Sequence, residues 1–371
     1  MSVEVLVQER YAEGAQQRQE SLCCPVDYDM ALLKILPQEI IDKDYGCGDP
    51  SRYAREGDTV LDLGSGGGKI CYMAAQIVGK EGHVIGVDMT DDMLALARSY
   101  QTEMADKLGS DRVSFKKGYI QDLALDVDAM ETQLSLHAVN EAAKMQAFNQ
   151  WQNRQKLEQP LIANSSIDLV ISNCVLNLVA EQDRHEMLAG IFRVLKSGGR
   201  VAISDIVCDE VVPQHLKDDA DLWSGCISGA FQEQEFMQAF LDAGFVAVEY
   251  DKWDEQPWQV VEDIEFRSVT LCAVKPDKTN LLDAGQAVIY RGPFAQISDD
   301  LGNLYYRGER TAVSRRTFEL LGQVSYAENF IFVQPSVPVD GGCFSLPAGT
   351  VRPATETKGG THGGSSASGC C

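Results

Sequence analysis

A glycine-rich segment after an apolar run near residue 60 has the residue types and spacing to bind a nucleotide. Residues 60–63 are apolar except for one acid, and a glycine-rich turn follows that also opens a helix-like stretch. Glycine lets a ligand approach the backbone, and a helix N-terminus presents free N–H groups. A second apolar run, residues 83–88, ends at Asp88 about twenty residues beyond the loop, where a carboxylate could accept hydrogen bonds from ribose hydroxyls. The combination predicts a nucleotide-type ligand.

The glycine spacing indicates which nucleotide. Gly64, Gly66 and Gly68 read G-x-G-x-G, whereas the dinucleotide fingerprint is G-x-G-x-x-G. The loop therefore favours S-adenosylmethionine over NAD, although a tight turn without a ligand would explain the loop taken alone. Asn173, which ends a later predicted strand, is expected beside the cofactor or in a turn. The residues predicted to bind the cofactor are Asp62, Gly64, Ser65, Gly66, Gly68, Asp88 and Asn173.

Three cysteines lie where a parallel sheet would bring ligands together. Cys174 follows the fourth predicted strand, Cys226 lies in the connection after the fifth, and Cys47 lies in a turn before the first. Ligands of such sheets bind at the carboxyl ends of the strands, so the three thiols could converge on a soft, thiophilic centre. Structural zinc and three unrelated buried cysteines are the alternatives. The neighbouring glycines are expected to leave room for a bulky atom; they are Gly46, Gly48, Gly225 and Gly229.

Length, charge and cysteine content restrict the class of protein. The 371 residues carry 32 basic and 55 acidic side chains, a net charge of −23, which would repel nucleic acid and anionic membrane surfaces. No apolar stretch reaches bilayer-spanning length, and the first residues lack the layout of a signal peptide, so we expect a cytoplasmic protein. Eleven cysteines in such a chain predict reduced thiols rather than a disulfide framework.

Alternating strand and helix patterns predict an α/β fold, a doubly wound Rossmann-like sheet with helices on both faces. Predicted strands cover residues 60–63, 83–87, 113–116, 167–172 and 200–204, and the stop at residues 196–200 should end a helix and begin the fifth strand. The expected organisation is a lead-in over 1–59, a cofactor-binding domain over 60–275 with a helical insertion at about 122–165, a small β-containing C-terminal domain over 280–338, and a flexible cysteine-containing tail over 339–371.

From about residue 22 to residue 275 the chain resembles the arsenite S-adenosylmethionine methyltransferase family. Six motifs carry the resemblance: Tyr45-Gly46-Cys47-Gly48, the loop from Asp62 to Gly68, Gly86-Val87-Asp88-Met89-Thr90, Lys117-Gly118-Tyr119-Ile120, Ser172-Asn173-Cys174-Val175-Leu176-Asn177-Leu178 and Leu222-Trp223-Ser224-Gly225-Cys226. The small C-terminal unit also resembles that of longer members. After the glycines the chain has Lys69-Ile70, where better-known members have Arg-Asp.

The resemblance implies an activity and roles for the cysteines. Cys47, Cys174 and Cys226 match the family's arsenic(III) ligands, and Cys23 or Cys24 matches an additional redox cysteine that would pair with Cys47. It also adds Met89, Tyr119 and Ile120 to the cofactor residues. Thioredoxin or glutathione would regenerate the thiols. Two other hypotheses stay open at this point: a methyltransferase acting on another small molecule, and a thiol-based metalloid-binding protein without turnover.

Overall fold

The computed structural model describes residues 3–17, 26–277, 281–339 and 341–358. Cys23, Cys24, Cys370 and Cys371 lie outside these residues. The chain forms two compact units, residues 1–275 and residues 276–371. Within the described residues, no helix has the length and apolar character needed to cross a membrane.

The first unit is built on a nine-stranded sheet flanked by helices. Its strands are β1 Thr59–Leu63, β2 His83–Asp88, β3 Val113–Lys117, β4 Ile167–Asn173, β5 Leu195–Cys208, β6 Phe231–Gln232, β7 Val246–Trp253, β8 Gln259–Val261 and β9 Ile264–Val274. Its α-helices are α1 Val3–Gln16, α2 Met30–Leu33, α3 Gln38–Asp42, α4 Lys69–Val78, α5 Asp91–Ser99, α6 Gln101–Leu108, α7 Val127–Leu136, α8 Ala142–Glu158, α9 Arg184–Val194, α10 Gln214–Lys217, α11 Ala220–Ser224 and α12 Glu233–Asp242.

The strand order is β3-β2-β1-β4-β5-β9-β7. Strands β1 to β5 are parallel, and the register places Leu63 between Val87 of β2 and Ser172 of β4. The order reverses between β1 and β4, which is the point where sheets of this type bind ligands. The predicted α/β sheet is therefore confirmed, although it is mixed rather than wholly parallel, because β9 pairs antiparallel with both β5 and β7.

Apolar side chains point to both faces of the central strands and pack against helices on each side of the sheet. On β1, Leu61 and Leu63 are buried in a core with residues of α9, whereas Val60 is buried with residues of α4. Such double burial requires helices on both faces of the sheet.

The fifth strand begins earlier than expected: β5 starts at Leu195 and passes through a register shift, which the positive φ of Gly198 (75°) allows. The segment predicted as a helix stop is thus part of the strand.

Helices α7 and α8 occupy the region expected to be a helical insertion. Only Val127 of α7 and Gln155 of α8 are buried, so these two helices present mostly polar surface to solvent. An ion pair between Lys156 and Asp122 ties the second helix to the segment that precedes the first.

The second unit has a small antiparallel sheet. Its elements are β10 Ala287–Tyr290, β11 Gln296–Ser298, β12 Leu304–Tyr306, β13 Arg310–Ala312, β14 Phe330–Val333, α13 Arg315–Leu321 and α14 Ala354–Thr357. Strand β10 is central, between β13 and β14. Residues 341–358, the described part of the segment expected to be a flexible tail, instead pack on this unit: Arg352 is buried and pairs with Asp283 at 2.7 Å, and Val351 bridges to Thr311. An ion pair and a single β-bridge leave no apolar periodicity in the sequence, so the sequence did not predict this packing.

Candidate functional site

A cleft opens at the carboxyl ends of β1 and β4, and its empty space, including the solvent at its mouth, is about 930 Å³. Eight predicted cofactor residues line it: Asp62, Gly64, Ser65, Gly66, Asp88, Met89, Ile120 and Asn173. Two others do not line it. Gly68 instead forms the N-cap of α4 with φ 88°, and a side chain there would press on Phe115, while Tyr119 lies half-buried outside the cleft.

The carboxylate of Asp88 fixes the glycine loop against the end of β2. Its Oδ2 accepts a hydrogen bond from the backbone N–H of Gly66 at 2.9 Å, and its Oδ1 accepts one from Thr90 at 2.8 Å. Burial raises the pKa of Asp88, and the backbone hydrogen bonds oppose that shift. A carboxylate has about four acceptor positions, so Asp88 can accept further bonds from hydroxyl groups in the cleft.

The loop fits a nucleoside ligand by two observations. Gly66 has φ 49°, and a Cβ built there would meet no atom closer than 4.0 Å, so this position is open toward the cleft. The hydroxyl of Ser65 is buried and has no hydrogen-bond partner among the described residues. Buried polar groups are normally satisfied, so the Ser65 hydroxyl is suited to bond a ligand.

Asp62 lies beneath the same loop and is enclosed. Burial raises the pKa of Asp62 to about 8, against the hydrogen bond from the Cys71 thiol at 3.2 Å, which lowers it. The pKa of Cys71 is raised well above its usual value, by burial first and by Asp62 second. Cys71 is therefore a buried thiol at neutral pH and not a nucleophile.

The three cysteines predicted to converge do so beside this cleft. Cys47 and Cys174 form a disulfide across 127 residues of sequence, with their Cα atoms 5.8 Å apart. The thiol of Cys226 donates to the carbonyl of Cys174 at 3.3 Å. Cys174 and Cys226 both have a left-handed backbone, φ 59° and 62°, a conformation that costs energy in residues other than glycine and recurs at functional sites.

Asn173 holds the segment that carries Cys47. Its Oδ1 accepts hydrogen bonds from the N–H groups of Cys47 at 2.9 Å and Gly48 at 3.0 Å, and its Nδ2 donates to the carbonyl of Gly48 at 2.9 Å. From the other side, the hydroxyl of Ser268 donates to the carbonyl of Cys47 at 2.7 Å. The Asn173 amide lines the cleft, but these contacts make it a support for the thiol segment.

The glycines near the cysteines permit close approach of protein atoms. A Cβ at Gly46 would lie 1.9 Å from Asn173 Nδ2, and one at Gly48 would lie 2.4 Å from the hydroxyl of Ser204. A Cβ at Gly229 would lie 2.1 Å from a backbone oxygen, and a Cβ at Gly225 would lie 3.1 Å from another backbone oxygen. The expectation that these glycines leave room for a bulky atom is therefore wrong, because other groups of the chain occupy the space.

Lys69 connects the cofactor loop with the same segment. Its Nζ lies 2.5 Å from Asp44 Oδ2 and 3.5 Å from the centre of the Tyr28 ring. The Tyr28 hydroxyl donates to Asp44 at 3.2 Å and accepts from Asn173 at 3.5 Å. Lys69 lies where the chain departs from the Arg-Asp pattern. In this chain its contacts connect the start of α4 with Asn173, which holds the Cys47 segment.

Asp205 is a member of this site that the sequence did not single out. It lies in β5, and its carboxylate oxygen and the sulfurs of Cys47 and Cys174 lie within 4.8 Å of one another. Burial raises the pKa of Asp205 to about 6, and backbone hydrogen bonds from Ile206, Asn177 and Leu176 oppose the shift. The sequence feature that could have identified Asp205 is its position in a strand that neighbours β4.

Helix α1 and residues 43–45, just before the Cys47 turn, also line the cleft, and these residues were not among the predicted ones. The contributing residues are Val7, Tyr11, Lys43, Asp44 and Tyr45. The positions of Cys23 and Cys24, predicted as redox partners of Cys47, lie outside the described residues. The partner of Cys47 in the structure is Cys174.

The substitution Gly46→Ala should destabilise the first unit by about 1–3 kcal/mol, the usual cost of forcing extra atoms into a packed site. The physical reason is the 1.9 Å approach to Asn173, which the backbone must relieve by moving. Urea denaturation measures the free energy of unfolding. Gly190→Ala in α9 is the control, because its Cβ would meet nothing closer than 3.9 Å. Equal stability of the two variants would show that Asn173 does not confine this segment.

Comparisons with known proteins agree with the geometry. A methyltransferase domain family matches residues 54–150 and 140–244, and a domain of unknown function, DUF8838, matches residues 277–362. The arsenite methyltransferase of Aquipseudomonas alcaligenes is 31% identical over 348 residues, which cover 88% of this chain and 90% of the relative. The human arsenite methyltransferase is 29% identical over 328 residues, which cover 85% of this chain and 78% of the relative.

A solved structure shows the same similarity. The crystal structure of an arsenic(III) S-adenosylmethionine methyltransferase from Chlamydomonas reinhardtii superposes with a TM-score of 0.58 at 27% identity. The match covers 87% of this chain and 100% of that one.

Proposed function

The chain belongs to the arsenite methyltransferase family, and we propose that it methylates trivalent arsenic bound by Cys47, Cys174 and Cys226. The observation that carries this assignment is the convergence of the three sulfur-bearing residues. Cys174 is bonded to Cys47 and contacted by Cys226, and all three belong to one buried cluster at the edge of the cofactor cleft. Trivalent arsenic is a soft centre, for which sulfur is the preferred ligand.

The enzyme uses S-adenosylmethionine, which when bound supplies an electrophilic methyl group on a positively charged sulfur. Asp88 would accept hydrogen bonds from the ribose hydroxyls, and the open position at Gly66 would admit the nucleoside next to the backbone. The Ser65 hydroxyl would bond the ligand rather than remain without a partner. The carboxylate of Asp88 suits a ligand that carries positive charge.

Capture of arsenite requires thiols. Arsenous acid exchanges its three hydroxyl groups for three thiolate sulfurs, and the three thiol protons leave with the hydroxyls as water. In the structure two of the three sulfurs are bonded to each other. A thiol reductant must therefore first transfer two electrons and two protons to the Cys47–Cys174 disulfide and leave oxidised. We propose thioredoxin or glutathione for this role, and a cytoplasmic location, because a reducing compartment supplies both.

The chain contributes orientation more than acid–base chemistry. Arsenic bound by three sulfurs keeps its lone pair and needs no proton removed before it reacts. The protein must hold that lone pair toward the cofactor cleft and exclude water, an effect of proximity and orientation. Cys174 serves this purpose directly, since it both lines the cleft and carries one of the sulfurs.

A thiol pair must also return electrons after transfer. Methylation raises the formal oxidation state of arsenic by two, and two thiolates can supply the two electrons by forming a disulfide. We propose that Cys47 takes part in this step, with Cys174, as in the structure, or with Cys23 or Cys24 as its partner. Thioredoxin or glutathione would then reduce the disulfide again.

Cys174→Ser and Cys226→Ser should each abolish arsenic methylation, because a serine hydroxyl is a poor ligand for a soft centre. Cofactor binding should be unchanged. The measurement is chromatography of arsenic species after incubation with arsenite, a thiol reductant and methyl-labelled S-adenosylmethionine. Cys343→Ser is the control, since Cys343 is exposed and lies in the second unit. Label transferred to an acceptor other than arsenic, or wild-type rates in Cys174→Ser, would refute the arsenic assignment.

Asp88→Ala should weaken S-adenosylmethionine binding by about 1.5–3 kcal/mol, the range for hydrogen bonds to a charged group. Isothermal titration calorimetry measures the Kd. Asp128→Ala, on the exposed side of α7, removes an acid of equal charge away from the cleft and should bind the cofactor as the wild type does. An unchanged Kd in Asp88→Ala would exclude this carboxylate from cofactor binding.

Protein oxidised at Cys47 and Cys174 should bind the cofactor but methylate no arsenite until a dithiol is added. The reason is that only one of the three ligand sulfurs is then a thiol. Peptide mass spectrometry after alkylation measures the disulfide content, and the recovery of activity should follow its loss. Full activity of the oxidised protein without reductant would contradict this order of events.

A further inference from the structure

Two loops carry the second and third cysteines of the site. Residues 174–179, here called the Cys174 loop, follow β4, and residues 225–230, the Cys226 loop, follow α11. The two loops are in contact, since the Cys226 thiol donates to the carbonyl of Cys174 at 3.3 Å. A single atom bound by both sulfurs requires that they stay close together. The relative position of the two loops therefore determines whether the pair of thiols can act as one ligand set.

The Cys174 loop is held on the central sheet by Asp205 in β5. The Asp205 carboxylate accepts hydrogen bonds from the backbone N–H of Leu176 at 2.9 Å and from the side-chain amide of Asn177 at 2.8 Å. The same amide donates to the carbonyl of Ile206 at 2.6 Å. This loop is anchored to β5, so the position of the Cys226 loop relative to it depends on contacts between the loops.

Arg184 bonds both loops. It is the first residue of α9, and its side chain is buried. Its Nη2 donates to the carbonyl of Gly229 in the Cys226 loop at 2.6 Å. Its Nε donates to the carbonyl of Val179 in the Cys174 loop at 3.2 Å, and Nη2 also lies 3.5 Å from the carbonyl of Asn177. One planar guanidinium thus connects the two loops.

The hydrogen-bond acceptors of Arg184 are backbone carbonyls and not carboxylates, within the part of the chain that the structure describes. Its guanidinium also lies 4.1 Å from the centre of the Phe231 ring. A buried charge is costly unless it is hydrogen-bonded, and here the bonds go to carbonyls of the two loops. A displacement of one loop from the other would leave part of this charge without acceptors. The guanidinium therefore favours one relative position of the loops.

The loops are also in close backbone contact at the same point. A Cβ at Gly229 would lie 2.1 Å from the carbonyl oxygen of Asn177, so a side chain there would push the loops apart. Gly229 is three residues from Cys226 in sequence. A bond that holds the Gly229 carbonyl therefore also restricts the position of the Cys226 sulfur.

We propose that Arg184 is a positioning residue for arsenic capture, and that its bonds to both loops keep the sulfurs of Cys174 and Cys226 close enough to bind one atom. The proposal rests on the proposed function, in which both cysteines are arsenic ligands. Arg184 does not line the cofactor cleft. It acts through the backbone of the two loops and forms no bond to arsenic.

The test is Arg184→Met, which nearly keeps the length of the side chain but removes its donors. We expect the KM for arsenite to rise about threefold to tenfold, the effect of one lost hydrogen bond. The kcat at saturating arsenite should change less, because bound arsenic itself holds the sulfurs together. The KM for S-adenosylmethionine should be unchanged. A loss of folded enzyme would lower kcat but would leave the KM for arsenite at the wild-type value.

Arg193→Met is the matched control on the same helix. Arg193 donates to the carbonyl of Ile162 at 2.9 Å and to the side chain of Asn164 at 2.6 Å, away from both loops. This variant should keep the wild-type KM for arsenite. Arg184→Lys is a second variant, which carries the test if the methionine variant does not fold. It keeps the charge, but a single ammonium cannot replace the planar donor set, so its KM for arsenite should also rise.

A second measurement needs neither arsenic nor cofactor. The reduced full-length protein is treated with dibromobimane, which bridges two nearby thiols, and peptide mass spectrometry counts each bridged pair. The ratio of Cys174–Cys226 bridges to Cys47–Cys174 bridges should fall about threefold or more in both Arg184 variants, because Asn173 and not Arg184 holds the Cys47 backbone. Cys174 is common to both bridges, so the access of the reagent to it cancels in the ratio. Arg193→Met should give the wild-type ratio.

The outcomes separate the two proposals. If the wild type methylates no arsenite, the proposed function fails, and the bridge ratio still decides whether Arg184 positions the two thiols. An unchanged ratio in the Arg184 variants, or no Cys174–Cys226 bridge in the wild type, would overturn its role. A lower ratio with an unchanged KM for arsenite would also overturn it, because the contact would then have no bearing on capture. Wild-type behaviour of Arg184→Lys would do the same, since the charge alone would then be sufficient.

Discussion

The side-chain amide of Asn173 is the contact on which the arrangement of this site depends. It bonds two consecutive N–H groups and one carbonyl in the segment 47–48, all of them buried. Leaving such backbone groups without partners would cost about 1–3 kcal/mol each, so these hydrogen bonds stabilise the segment in this position. Asn173 is the last residue of β4, and Cys174 follows it directly. A rigid strand thus determines the position of both members of the cysteine pair.

The sulfurs of Cys47 and Cys174 can either bond to each other or coordinate a metalloid, and one state excludes the other. While Cys47 and Cys174 are bonded to each other, neither can coordinate a metalloid. In the proposed function each sulfur becomes a ligand once the pair is reduced, and the bonds from the amide of Asn173 and the hydroxyl of Ser268 to the Cys47 backbone involve neither sulfur. A site held by backbone contacts needs little rearrangement between the two states. Under the proposed function, the reducing power of the surroundings therefore controls whether arsenite can bind.

The sequence was sufficient for the features that local patterns encode. Apolar strands, the glycine loop and Asp88 follow from residue spacing, and the reversal of strand order then places Cys174 near that loop. The roles of Gly46 and Asn173 could not be predicted, because they depend on a contact between residues more than a hundred positions apart. Nor could the antiparallel β9, since strand direction is decided by connections and not by the apolar pattern of one strand.

Helix α1 contacts both the part of the site that faces the cofactor cleft and the part that carries the third cysteine. Its polar face bonds the end of β2 through Gln8 and the helix before Cys226 through Arg10. A movement of α1 away from the end of β2 would therefore also act on its contact with the helix that precedes Cys226. Because one helix carries both sets of hydrogen bonds, the proposed function predicts that the free energies of cofactor and arsenic binding are coupled through it.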